Sequence, residues 1–306
     1  MKKFLKNILL FTLLIAIIKV VIIASTLINL PKVGYGYFLG HNEKKNKIVI
    51  VGSSNVEHNF DYDLLSKTFV DRSFIGVSLN APTGLYGLLY KLKRLGLKQN
   101  DIVIMALPYS LYNEDKFLPI TSSSKYLSLK VIKSSFIDFP GKTARNLLNI
   151  KFSNLKSSLK TRNLTLSGDK FIQFKNSFYG YTKKTDSLYL SCFTNTQDKF
   201  FIDDTQGDID KSHLLHLKDM FNQEGTPKYF FRFPVLPQNQ FKLDSSKLLF
   251  LEKNLNFINT PSSAVLKKEF FYDQWYHLNF CGATQNTLDL IDEINLLIIK
   301  KKSELP

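Results

Sequence analysis

Three short and continuous apolar runs, separated by segments with helical patterning, place the strongest constraint on the fold of this 306-residue chain. The runs at 47–51, 73–79 and 101–107 are predicted strands, and the segments at 61–69 and 83–97 are predicted helices. Strands that are buried on both faces have unbroken apolar sequences, whereas strands with one solvent-exposed face alternate apolar and polar residues. The pattern therefore predicts an α/β fold, with three α/β/α layers and a mostly parallel sheet.

The same alternation returns near the C-terminus after a long interruption. A strand is predicted at 228–233, and helices are predicted at 212–222, 245–255 and 283–300. Between about 110 and 210, Ser, Lys, Asn and aromatic residues mix without a clear period. Because a structureless loop of this length is unusual in a compact domain, we expect an insertion with some helices of its own.

The first 31 residues are predicted to hold a membrane anchor. Residues 8–30 are almost entirely apolar, with Lys19 as their one charge, and a helix of about 20 residues crosses a bilayer core of about 30 Å. A secretory signal peptide shares the basic start, but its apolar part usually spans only about 7–15 residues. We expect an uncleaved single-pass anchor, a linker at 32–46 and an extracytoplasmic domain at 47–306. Lys19 would either snorkel towards the head groups or face a partner membrane protein.

The charge and cysteine counts restrict the classes of partner and site. The net charge is +15, and the four lysines of the anchor region leave about +11 on the exported part. That residual charge favours anionic envelope polymers or lipid head groups, and nucleic acid is not expected beyond a membrane. Two cysteines exclude a disulfide-dense scaffold and a four-cysteine zinc module, although Cys192 and Cys281 could form a single bridge.

Ser54 stands where chemistry is often found in parallel sheets. The run Gly52-Ser53-Ser54-Asn55 follows a predicted strand directly, and ligands bind outside the carboxyl ends of such strands. A hydroxyl at that place, beside backbone N–H groups, could act as a nucleophile with an oxyanion site. Equally, Ser and Asn after a strand often cap the next helix.

Asp273 and His277 form the second chemical segment, shortly before the last predicted helix. An acid near a histidine can orient the imidazole, which then removes a proton from a serine as general base. Other interpretations stay open: a surface histidine, a helix cap, or a metal site that also uses Glu57 and His58. Cys281, four residues after His277, is expected to be a small buried apolar group and not a nucleophile.

Taken together, the two segments resemble the GDSL-type, or SGNH, hydrolase superfamily, and its membrane-anchored bacterial branch in particular. The first block of that branch reads like Gly-Gly-Ser-Asn and its last block like Asp-x-x-Tyr-His-Leu-Asn. The last block here is Asp273-Gln274-Trp275-Tyr276-His277-Leu278-Asn279. The stretch from Gly76 to Gly87 is similar to the second block. The resemblance covers roughly 47–115 and 225–300.

The resemblance implies roles for individual residues. Ser54 would be the nucleophile, His277 the base and Asp273 its orienting acid. Gly84, Asn80, Asn113 and Asn55 would be the candidates for the oxyanion hole or for substrate binding. Where many members have Gly-x-Asn-Asp in a third block, this chain reads Leu107-Pro108-Tyr109-Ser110-Leu111-Tyr112-Asn113.

From this resemblance we expect an esterase or O-acyltransferase in the bacterial inner membrane, with its catalytic domain outside. Its substrate would be an acylated, most plausibly acetylated, carbohydrate of the cell surface, and a membrane acyltransferase could be its partner. No cofactor and no metal are expected. The alternative is a catalytically inactive SGNH-like domain that binds glycans or scaffolds membrane partners. The difference between its third block and the Gly-x-Asn-Asp of many members favours this alternative.

Overall fold

The computed structural model of the chain describes the central sheet and the helices nearest to it. The residues that it describes are 4, 7, 10–13, 15–18, 20, 37–39, 45–78, 84–93, 95–112, 141, 143, 172–173, 192, 214–215, 227–238, 245–271 and 277–303.

The chain divides into two compact units. The first unit consists of Met1–Tyr35, Pro82–Gly87 and Leu118–Lys170, and its described residues are helical. The second unit consists of Gly36–Ala81, Leu88–Phe117 and Phe171–Pro306, and it contains the sheet.

The predicted anchor falls in the first unit, where several residues of 4–20 are helical and exposed. Within the part of the chain that the structure describes, no helix combines the length and apolarity that a membrane crossing requires. Residues 21–30 of the predicted anchor lie outside the described residues.

A six-stranded sheet forms the centre of the second unit. Its strands lie in the order β5-β1-β3-β2-β4-β6, and the four strands from β3 to β6 in this order are parallel to their neighbours. In chain order the strands are β1 (Tyr37–Leu39), β2 (Asn46–Gly52), β3 (Arg72–Ser78), β4 (Ile102–Ala106), β5 (Ile172–Gln173) and β6 (Lys228–Phe231). The prediction of an α/β fold with a mostly parallel sheet is therefore confirmed.

The helices of the second unit follow the predicted order with changed ends. Their bounds are α1 (Ser54–His58), α2 (Tyr62–Thr68), α3 (Gly84–Lys93, shared with the first unit), α4 (Ser245–Asn254) and α5 (Phe280–Ser303). α2 begins where predicted because the carboxylate of Asp61 caps it, accepting the N–H groups of Asp63 and Leu64. α3 ends four residues earlier than predicted, and Gly96 shortly after it has a left-handed φ of 57°. Of the helix predicted at 212–222, only 214–215 are described.

One face of the sheet is covered by apolar side chains from α1, α2 and α5. The inward residues of β2 and β4 alternate along each strand and are fully or almost fully buried. Because both faces of these central strands are buried, their sequences are continuously apolar, as the prediction required. The cluster on this face consists of Ile48, Ile50, Val56, Phe60, Tyr62, Leu65, Phe69, Phe74, Ile102, Ile104, Ala106, Leu290, Ile291 and Ile294.

Four short strands lie where none was predicted. β1 falls within the predicted linker and pairs antiparallel with β3, and β5 falls within the predicted insertion. β7 (Leu236–Pro237) and β8 (Val265–Leu266) form a separate parallel pair. Two or three residues are too few to produce a periodic signal, so backbone pairing with distant residues determines these strands.

Candidate active site

Ser54 lies just beyond the carboxyl ends of β2 and β4, two residues after β2 ends. The chain passes from β2 to β3 on one side and then returns to β4 on the other side of β2, so strand order reverses between β2 and β4. Ligands of open α/β sheets bind at such a switch point. Gly52, the last residue of β2, pairs with Ala106, and a Cβ atom there would stand 2.5 Å from the Ala106 carbonyl oxygen. Only glycine therefore allows the strands to run so close beneath Ser54.

The turn from β2 into α1 is held by the side chain of Asn55. Its Oδ1 accepts hydrogen bonds from the Ser53 N–H at 3.0 Å and from the Ser53 hydroxyl at 2.9 Å. Its Nδ2 donates to the carbonyl of Ala106, the last residue of β4, at 2.9 Å. Asn55 is buried, and its side chain links the end of β4 to the turn that carries Ser54. A part for Asn55 in substrate binding stays a prediction.

Ser54 and His277 meet at this end of the sheet, although 223 residues separate them in sequence. The Nε2 atom of His277 lies 2.9 Å from Oγ of Ser54, which is within hydrogen-bond distance. Ser54 is half-buried and His277 is buried. A serine hydroxyl in contact with an imidazole is the arrangement needed for general-base activation of a nucleophile.

A second imidazole packs against the first. The rings of His58 and His277 have centroids 4.1 Å apart and planes inclined at 35°. His58 is the last residue of α1, whose first residue is Ser54. One short helix therefore supplies the hydroxyl and a ring that contacts the histidine.

The turn that carries His277 is fixed by asparagines. The N–H of Leu278 donates to Oδ1 of Asn59 at 3.0 Å. Asn279 caps α5, since its Oδ1 accepts the Gly282 N–H at 3.0 Å, and its Nδ2 donates to the Glu269 carbonyl at 2.7 Å. Capping by Asn279 also explains why α5 begins at Phe280, three residues earlier than predicted.

Beneath this turn lies a buried ionic network. Nη1 of Arg232 donates to Oδ1 of Asn286 at 2.8 Å, and Nδ2 of Asn286 donates to the Asn59 carbonyl at 2.7 Å. Arg232 also holds both carboxylate oxygens of Glu293, at 2.6 and 3.2 Å. Burial raises the pKa of Glu293, and the nearby Arg232 guanidinium offsets part of that rise. The network joins the end of β6 to α5 and to the end of α1.

The segment in the position of the third block is a buried aromatic turn. Residues Tyr109–Tyr112 form a short 3-10 helix after β4, and both tyrosine rings are buried. Tyr109 stacks on Phe233 with ring centroids 6.1 Å apart. Burial raises the pKa of both phenols well above the ordinary value. These side chains pack inside the domain.

The remaining predicted site residues divide into two groups. Gly84 is the first residue of α3, and it belongs to the first compact unit. Asp273, Asn80 and Asn113 lie outside the described residues. Among the residues that the structure does describe, no three His, Cys, Asp or Glu side chains cluster in a way that could hold a metal ion.

Three contributors to the site were not predicted in these roles, although His58 was named as a candidate metal ligand. His58 packs on the His277 ring, Asn59 binds the residue after His277, and Asn286 binds Asn59. The sequence could have indicated His58 and Asn59 by their position, since both follow Ser54 within five residues. Asn286 carries no such signal, because a single buried amide within an amphipathic helix is common.

The two cysteines form a disulfide between the predicted insertion and the site. Cys192 and Cys281 are 89 residues apart, and their Cα atoms are separated by 5.2 Å. Cys281 is half-buried in the first turn of α5, four residues after His277. The bridge that the sequence left open is therefore present, and Cys281 is not the free apolar group that was the other expectation.

No family model, no curated protein and no solved structure matches the chain.

Proposed function

We propose that the chain is a membrane-anchored, extracytoplasmic serine esterase or O-acyltransferase of the SGNH type. The observation that carries the proposal is the 2.9 Å separation of Ser54 Oγ and His277 Nε2 at the switch point of a parallel sheet. The order of the motifs along the chain supports it, since the serine follows the first central strand and the histidine precedes the last helix.

The proposed reaction begins when His277 Nε2 removes the hydroxyl proton of Ser54 as Oγ attacks the carbonyl carbon of an ester. The tetrahedral intermediate places its negative charge on the former carbonyl oxygen. Collapse breaks the ester bond, and the alcohol leaves with the proton that His277 held. The acyl group is then bonded to Ser54.

In the second half, water or a sugar hydroxyl attacks the acyl-serine while His277 takes its proton. Water gives a free carboxylic acid, and a sugar gives a new ester; Ser54 recovers its proton from His277 in both cases. The N–H of Ser54 is at the first position of α1, where helix geometry provides no intrahelical acceptor, and it would stabilise the oxyanion. Asn80 or Asn113 would supply further donors, and Asp273 would orient His277.

The substrate and location in this proposal come from the sequence. The resemblance to the membrane-anchored branch favours an acetylated surface carbohydrate, and the net positive charge of the exported part favours an anionic polymer. The apolar segment at 8–30 would hold the enzyme at the membrane.

A fluorophosphonate probe tests the nucleophile on the full chain in a mild detergent. Ser54 would attack phosphorus, fluoride would leave, and a stable phosphonyl-serine would result. Labelling should be lost in Ser54→Ala and in His277→Ala, and it should persist in Ser66→Ala, which removes an exposed serine of α2. Equal labelling of Ser54→Ala and wild type would reject the proposal.

The second candidate is an inactive SGNH-like domain that binds glycans. The observation that favours it is the buried turn Tyr109–Tyr112, which stands where relatives of the proposed type carry an asparagine for the oxyanion. Purified full chain that releases no acetate from acetylated polysaccharide, and takes no probe, but is retained on the same polysaccharide, would decide for this candidate.

A further inference from the structure

We infer that Asn59 is a positioning residue, which holds His277 at its distance from Ser54; the inference rests on the proposed function. Asn59 is the residue at which α1 ends, and its N–H donates to the Asn55 carbonyl at 2.9 Å. Since α1 is five residues long and begins at Ser54, the nucleophile and Asn59 belong to one rigid turn.

The side chain of Asn59 reaches from this turn to the segment that carries His277. Its Oδ1 accepts the Leu278 N–H at 3.0 Å, a contact between residues 219 apart in sequence. Asn59 and Leu278 are both almost completely inaccessible to solvent. Because the Leu278 N–H belongs to the planar peptide that follows His277, this bond restrains the backbone from which the imidazole projects.

Asn59 is itself fixed by a deeper contact. Its main-chain carbonyl accepts Nδ2 of Asn286 at 2.7 Å, and Asn286 is fully buried in α5. The opposite end of that amide accepts Nη1 of Arg232 at 2.8 Å. The turn that begins with Ser54 is thereby anchored to α5, and α5 follows the His277 turn by three residues.

This arrangement differs from an ordinary helix cap. An N-capping side chain bonds the N–H groups of its own helix, whereas Asn59 follows the C-terminus of α1 and its side chain bonds the main chain beside the other member of the dyad. Proton transfer needs a short donor–acceptor distance, and a displacement of about 1 Å at a reacting group can cost about 100-fold in rate. We therefore expect loss of this bond to slow the reaction of Ser54 far more than it weakens binding.

The experiment uses the full chain in detergent, with three variants and the fluorophosphonate probe. Asn59→Ala removes the acceptor, and Asn59→Asp keeps an acceptor oxygen. Thr287→Val is the matched control, because it removes the hydrogen bond from the Asp61 N–H to Thr287 Oγ1 (2.8 Å) between the same parts of the fold, together with the bond from Thr287 Oγ1 to the Ala283 carbonyl (2.7 Å). Neither bond involves Asn59, His277 or Leu278.

Saturation kinetics separate the maximal labelling rate from the probe concentration at half-saturation. In Asn59→Ala the maximal rate should fall about 10- to 100-fold with the half-saturation concentration unchanged, and Asn59→Asp should recover most of it. Thr287→Val should stay within about twofold of wild type. Equal rates for Asn59→Ala and wild type, or equal losses in Asn59→Ala and Thr287→Val, would overturn the inference.

Hydrogen exchange at the Leu278 amide provides a readout that does not depend on activity. It should accelerate in Asn59→Ala but not in Thr287→Val, and unchanged exchange would overturn the inference. A wild type that takes no probe would reject the proposed function, and the exchange rates would still decide the positioning. If Asn59→Ala does not fold, Asn59→Asp decides, since restored protection of Leu278 supports the inference and its loss contradicts it.

Discussion

Ser54 follows a strand in the centre of the sheet, whereas His277 lies in a turn that the sheet does not include. β2 pairs with a neighbour on each side along most of its length, and the serine comes two residues after its end. The histidine turn has one isolated backbone pairing, between Leu278 and Phe271, and it is also held by side-chain hydrogen bonds from Asn59 and Asn279. The backbone pairing of β2 is distributed over many hydrogen bonds, whereas the side chains of Asn59 and Asn279 each accept a single N–H group of the histidine side.

This difference implies that the two halves of the site respond differently to substitution. A change beneath Ser54 must disturb the central strands before it moves the serine, so we expect stability and reactivity to fall together. A change beneath His277 can displace one turn while the sheet stays intact. Reactivity should then fall more than stability.

The largest effect should come from Arg232, on the histidine side. Arg232→Ala leaves Asn286 and the carboxylate of Glu293 without the guanidinium that they bind, and breaking a buried pair costs about 3–5 kcal/mol. Denaturant unfolding of the full chain measures this loss. The matched control is Lys267→Ala, which removes an exposed ion pair at 3.8 Å and should cost less than about 1 kcal/mol. Similar losses in both variants would contradict the importance of the buried network.

Glycine substitutions compare the two sides directly. A Cβ atom at Gly52 would lie 2.5 Å from the Ala106 carbonyl oxygen, and one at Gly282 would lie 2.7 Å from the Phe270 carbonyl oxygen. Overpacking of this kind costs about 1–3 kcal/mol, and the central strands can yield less than the turn. We expect Gly52→Ala to lower the free energy of unfolding more than Gly282→Ala does. For each kcal/mol of stability lost, however, Gly282→Ala should lose more reactivity towards the probe than Gly52→Ala. The opposite order would break the comparison.

The difference between the two sides also explains which features of the fold and of the site could be predicted from the sequence. The central strands were predicted almost to their ends because burial on both faces leaves a continuous apolar run, as at 47–51. The proximity of Ser54 and His277 was expected from the resemblance in motif order, and not from periodicity. The bonds that join Asn59 to Leu278 and to Asn286 span more than 200 positions, so no local pattern of the chain could reveal them.

A smaller effect is expected at the cap of α5. Asn279→Ala removes the acceptor of the Gly282 N–H and should cost about 0.5–2 kcal/mol. Asn279→Ser keeps a capping oxygen but cannot donate to the Glu269 carbonyl, so it should recover part of the loss. Thermal unfolding of both variants measures the difference. If serine and alanine were equally damaging, the cap would not be the interaction that fixes the start of α5.

The smallest effect should be a change in the pH dependence of stability through Glu293. Burial raises the pKa of this carboxyl, as do the nearby carboxylates of Asp289 and Asp292, and Arg232 lowers it. A raised pKa means that the folded chain holds the proton more readily than the unfolded chain. The stability from this group is therefore fully present below the unfolded pKa, near pH 4, and is lost as the pH rises through the folded pKa. Unfolding free energies across this range, compared with those of Glu293→Gln, should give a wild-type advantage that decreases with rising pH. An advantage that increased with pH would mean that Arg232 lowers the pKa of Glu293 by more than burial raises it. The ion pair between Arg232 and Glu293 would then stabilise the histidine side of the site more than expected.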